Sequence, residues 1–145
     1  MDDGKDKIIK LYNAFNAFYY DGLCVPEYSN LHFNIDFLED GTPDEIDGRT
    51  DLTFNTEKDE AEITIRIKKE ITQQANNLHL SAVLLHEMVH ANLYANHIYE
   101  LNEEKTEAIH GEKFYQTAIS HGLKDGYMIP NDEIILIMGR GKKWK

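Results

Sequence analysis

Between Lys5 and Tyr20 the apolar side chains Ile8, Leu11, Tyr12, Phe15, Phe18 and Tyr19 return every three or four residues, the spacing of one face of an α-helix. The stretch "DGLCVPEYSN" then breaks the pattern with Gly22, Pro26 and Ser29 and reads as a connector. From Leu31 the period drops to two. Leu31, Phe33, Ile35 and Phe37 alternate with His32, Asn34 and Asp36, which predicts a half-buried strand with His32 on its wet face. After the acidic loop "EDGTPDEIDG", "RTDLTFN" and "AEITIRIKK" flank the turn "TEKDE" and predict a hairpin. In its second strand Ile63, Ile65 and Ile67 are assigned to the core, and Glu62, Thr64, Arg66 and Lys68 to water. That strand is also a candidate edge on which an extended peptide could pair.

Beyond "TQQANN" the period disappears into the most apolar segment of the chain. A helix is predicted from about Leu78 or Ser81 to Asn96, with Val83, Leu84, Leu85, Met88, Val89, Ala91 and Leu93 spread around its circumference, so it should be buried on all sides. Helical spacing resumes in "AIHGEKFYQTAISHG" through Ile109, Phe114, Ala118 and Ile119, with Gly122 placed to cap it. The short run "EIILIM" fits a strand or a helical turn equally well. The order helix, three strands, buried helix, helix places the chain in the α+β class, with a small, mainly antiparallel three-stranded sheet and helices on one face.

Composition narrows the functional classes. A chain of 145 residues fits one domain, and 41% apolar against 28% charged residues is ordinary for a globular protein. No apolar run approaches the roughly 20 residues a membrane span needs, and "MDDGKDKIIK" does not read as a secretory signal, so a cytoplasmic location without membrane partners is expected. Cys24 is the sole cysteine, which leaves no partner for an internal disulfide and no cysteine-rich zinc ribbon; its apolar neighbours suit buried packing. The net charge of −11 opposes a broad phosphate-binding surface. Only the tail from residue 140 to 145, with Arg140, Lys142, Lys143, Trp144 and Lys145, could hold single-stranded nucleic acid. The expected division is therefore a domain at 1–139 and a basic tail at 140–145.

The buried helix raises the chemical question. "LLHEMVHANLY" sets His86, Glu87 and His90 among apolar neighbours, where polar groups are costly unless they have a purpose. Imidazoles at i and i+4 lie one turn apart on the same face and can reach one ion. Glu87 is turned about 100° from His86, poorly placed to chelate with the pair but able to reach a water that the ion binds. Imidazole and carboxylate donors suit zinc, which lowers the pKa of bound water to about 7. Glu87 would take that proton and deliver it to a leaving amine.

A catalytic zinc site commonly has a third protein ligand. An extended HExxHxxGxxH pattern requires glycine at 93 and histidine at 96, where this chain has Leu93 and Asn96, although His97 is near. Glu103, Glu104 and Glu107 offer carboxylates, with "EKTEA" close behind the helix, and His110 in "HGEKF" offers an imidazole at better separation. With "LLHEMVHA" at 84–91, "HGEKF" at 110–114 and the amino-terminal "LYNAFNAFYYDG", the chain resembles the SprT-like (Spartan-related) zinc metallopeptidases over about residues 8 to 122. The resemblance implies a zincin-like single domain. Its buried helix would carry HExxH, and a following helix the third ligand. Metal ligands would be His86, His90 and His110, with Glu87 as catalytic acid/base and one zinc ion. Gly111 would allow close helix approach, and Phe114, one turn after His110, would anchor that turn in the core.

The chain departs from many members in lacking a cysteine-rich ribbon, and its acidity argues against work on DNA. It looks like a compact form of the family. The expected activity is hydrolysis of protein or peptide substrates. The alternative is a zinc-binding, non-catalytic interaction or nucleic-acid-associated module. Among the remaining polar residues, His32 and His79 carry no partner signal, and His121 suits the end of a helix. Tyr127 is a candidate oxyanion donor.

Overall fold

The structure, a computed structural model, describes residues 3–26, 30–55 and 57–96, together with 116, 117 and 120. Among the described residues six elements follow one another: α1 (Asp3–Tyr20), β1 (Leu31–Phe37), β2 (Gly48–Asn55), β3 (Glu60–Ile67), α2 (Lys69–Thr72) and α3 (Leu78–Asn96). The architecture is α+β, an amino-terminal helix followed by a three-stranded mixed sheet and a later helix. Among the described residues no helix is long and apolar enough to cross a membrane. The expected helix around residues 109–119, its cap at Gly122, the "EIILIM" segment and the basic tail lie outside the described residues, apart from isolated positions.

The sheet corrects one expectation. Its strand order is β1-β3-β2, with β3 antiparallel to β2 but parallel to β1, so it is mixed and not mainly antiparallel. The connection from residue 38 to 47 does not fold straight back. It crosses the end of β3, where Leu38 N donates to Ile67 O at 3.0 Å and Lys68 N donates to Asp47 O at 2.9 Å. The chain thereby reaches the far edge before the hairpin returns β3 into the gap. β3 is the central strand, so the peptide-pairing edge proposed for it does not exist. Both of its sides are already bonded.

The strand periodicities determine which face is buried. Ile63, Ile65 and Ile67 are fully buried, and each sits between a β1 residue (Phe33, Ile35, Phe37) and a β2 residue (Leu52, Thr50, Gly48) on the same face. Over this face pack α1, whose Tyr12 ring lies 4.9 Å from that of Phe33, and α3 through Leu80, Val83, Leu84 and Met88. The opposite face is polar. There Arg49 and Arg66 stand directly across from each other, a repulsive pairing relieved by Asp51, 2.7 Å from Arg49 and 2.9 Å from Arg66, and by Glu39 and Asp36 beyond. Thr64 is an exception to its assignment to water. It lies at the middle of the sheet between Asn34 and Asp51 and is buried.

α1 buries Ile8 and Tyr12, with Leu11, Phe15 and Tyr19 packed against them, but Phe18 is exposed. At about 100° per residue Phe18 falls roughly 80° from Ile8 on one side, while the buried Tyr12 and Tyr20 lie on the other. The helix ends where Asp21 and Gly22 take positive φ, and Gly22 N reaches back to Asn16 O at 2.8 Å. The turn that follows is held to α3. Asn92, buried, donates its side-chain amide to Cys24 O at 2.9 Å, while the Cys24 thiol lies against Met88 O. Asn92→Ala should leave that carbonyl unpaired and cost about 1–3 kcal/mol, measured by urea unfolding; an unchanged midpoint would show that the turn is held elsewhere.

Candidate functional site

α3 is apolar on every side because it is enclosed: the sheet lies beneath it and α1 beside it. Three of its polar residues are nevertheless buried with the apolar ones, with His86 2%, Glu87 5% and His90 6% exposed. The two imidazoles, one turn apart, have ring centroids 5.0 Å from each other at an interplanar angle of 73°. The same row continues one further turn to Tyr94, whose ring centroid is 6.2 Å from that of His90. Burial raises the Tyr94 hydroxyl above its ordinary pKa, and the negative charges of Glu87 and Asp51 raise it further.

The Glu87 side chain reaches β2. Thr50 Oγ1 lies 2.7 Å from Glu87 Oε1 and 3.1 Å from the Glu87 backbone oxygen. A hydroxyl has one hydrogen, so Thr50 donates to Oε1 when the carboxylate is charged. When Oε1 carries a proton, Thr50 can accept it and turn its own hydrogen to the backbone oxygen. Burial pushes the Glu87 carboxyl up to about 7, against the hydrogen bond from Thr50 and the Arg49 charge, which lower it; Asp51 raises it. A carboxyl in this range takes up and releases protons near neutrality.

The closeness of β2 depends on Gly48. A Cβ added there would lie 2.8 Å from Val83 Cγ1 and 3.1 Å from Glu87 Oε2. Just before it, Asp47 Oδ2 lies 3.2 Å from His79 Nε2, joining the start of β2 to the first turn of α3. His79, without a partner signal in the sequence, thus has one in the fold.

The structure therefore brings together His86, Glu87 and His90, and adds Thr50, Gly48 and Tyr94. The first two additions had a visible signal. Gly48, Thr50, Leu52 and Phe54 occupy one face of β2, and the small and polar pair at its start departs from an otherwise apolar face. Tyr94 continues the four-residue row of the histidines. His110, Tyr127, His97 and the glutamates at 103, 104 and 107 lie outside the described residues, and among the described residues no group of three histidine, cysteine or acidic side chains is gathered as a metal set. The donors that are described, two buried imidazoles on one face, suit two positions of a zinc or similar ion and need a further ligand. Comparison of the chain with known protein families, with curated proteins and with solved structures finds no match in any of the three.

Proposed function

We propose that the chain is a zinc-dependent peptidase of the SprT-like kind, with a zincin-like fold in which His86, His90 and His110 hold the ion and Glu87 is the general base and acid. The observation that carries this reading is the burial of His86, Glu87 and His90 on one helix, with the two imidazole rings 5.0 Å apart. The placement of "HGEKF" after "HEMVH" in the sequence supports it.

Zinc held there would supply Lewis acidity, activating water and polarising a carbonyl. The residues of the chain do the rest. His86 and His90 would hold it as neutral imidazoles, each through one ring nitrogen. Glu87 accepts a proton as the water oxygen bonds to the scissile carbonyl carbon. It then returns the proton to the amide nitrogen as the C–N bond breaks, leaving a carboxylic acid and an amine. Enclosure between α3 and β2 leaves Glu87 only 5% exposed. A purely structural zinc site would gain nothing from such a carboxyl, which favours the enzyme over the non-catalytic zinc-binding module.

Metal analysis with a cleavage assay on an unfolded, fluorescence-quenched protein tests the reading. The wild-type chain should bind one zinc and cleave. His86→Ala and His110→Ala should each weaken zinc binding by more than the ~10- to 100-fold that follows loss of a merely supporting partner. Unchanged zinc content in His110→Ala would move the third ligand to Glu103, Glu104 or Glu107. Cleavage that persists in His86→Ala would end the metal mechanism.

A further inference from the structure

The carboxyl of Glu87 is gripped by a strand remote in sequence. Resting on the peptidase reading above, we propose that Thr50 is a positioning residue for Glu87, with Gly48 keeping clear the space beside its second oxygen. Three observations converge. Thr50 Oγ1 is 2.7 Å from Oε1, within ordinary hydrogen-bond distance. Thr50 faces α3 from the same side of β2 as Gly48, Leu52 and Phe54, so its hydroxyl is the polar group that this face presents to the buried carboxyl. An added Cβ at Gly48 would stand 3.1 Å from Oε2 and 2.8 Å from Val83 Cγ1, so a larger residue would press on both the carboxyl and the helix that carries it.

The division of labour follows from the geometry. A carboxylate on a two-carbon stem can rotate about its last bonds, and its two oxygens are equivalent until something distinguishes them. Thr50 occupies Oε1 and so fixes the plane of the group, leaving Oε2 to exchange the proton. Such holding acts on the rate of proton transfer and not on the capture of substrate or metal. Its signature is a fall in kcat with KM and zinc affinity unchanged.

Thr50→Val keeps the shape and removes the hydroxyl; Thr50→Ser keeps the hydroxyl. With the zinc-loaded protein, Thr50→Val should lower kcat about 10- to 100-fold at constant KM and zinc content, and Thr50→Ser should recover most of the loss. In the Glu87→Gln background Thr50→Val should cost nothing more, because the two residues act as one unit. A readout independent of turnover is the side-chain carboxyl carbon resonance of Glu87, identified as the one missing from Glu87→Gln in glutamate-labelled protein. It should move in Thr50→Val and stay in Thr50→Ser. Should Thr50→Val fail to fold, Thr50→Ala carries the same measurements. A resonance indifferent to Thr50→Val, or a resonance that moves while kcat does not, overturns the positioning role. If Glu87→Gln itself cleaves normally, the acid/base role of Glu87 fails instead; if the wild-type chain does not cleave, the peptidase reading fails; and in either case the resonance still judges the contact.

Discussion

Glu87→Gln is expected to bind zinc as the parent chain does and to lose peptide cleavage by about 10²- to 10⁴-fold. The amide has nearly the volume of the carboxyl, so the packing between α3 and β2 is retained, and its oxygen can still accept the Thr50 hydroxyl. What disappears is basicity: an amide takes no proton from water at neutral pH. Stability should move little, or rise at neutral pH, because the burial that pushes the carboxyl up to about 7 is a penalty on its charged form that an amide avoids. Zinc content, turnover and a urea midpoint on the same preparation separate the outcomes. Turnover that survives in a zinc-loaded protein would remove Glu87 from the mechanism. Zinc lost along with turnover would make it a ligand.

The second large effect belongs to the core. Ile65→Ala should cost about 2–5 kcal/mol, a substantial part of the roughly 5–15 kcal/mol that holds a domain together. Ile65 is fully buried at the centre of the central strand, with Ile35 on one flank and Thr50 on the other. Flanking strands fix the backbone on both sides, which limits how far the gap can close, so the cost should fall in the upper part of that range. Ile65→Val should cost only about 0.5–1.5 kcal/mol. Chemical unfolding measures both; equal losses in the two variants would mean that the core repacks around the gap. Because Thr50 is the register partner of Ile65, the alanine variant should also loosen the strand that meets Glu87.

The elements were largely legible in the sequence because their signals are local. β1 matches the alternating stretch Leu31 to Phe37, and α3 reaches from Leu78 to Asn96 as its apolar content requires. α2 escaped notice, since four residues are too short to show a helical period. The parallel pairing of β1 with β3 was not legible for a different reason. Alternation tells which side of a strand is buried but not which strand lies beside it, and the hairpin could have docked on β1 through either member. At the candidate site, "HEMVH" announced three residues through the cost of burying them. Thr50 and Gly48 interrupt the apolar face of β2, but that signal gained a meaning only when register placed them on the face that α3 covers. A threonine in a strand is unremarkable until its neighbour across the layer is known to be a carboxyl.

The position of β3 also bears on the order in which the molecule assembles. Its partner β2 is a short turn away, so the hairpin closes a small loop, on the microsecond scale typical of such units. Its other partner β1 meets it only after Leu31 finds Ala61 across the long crossover, a slower search that must follow or accompany collapse. Gly48, Thr50 and the HEMVH helix all come from the hairpin and the helix that follows it. The grip on the Glu87 carboxyl can therefore form by docking successive pieces of chain, while β1 and α1 close over the other side of the core.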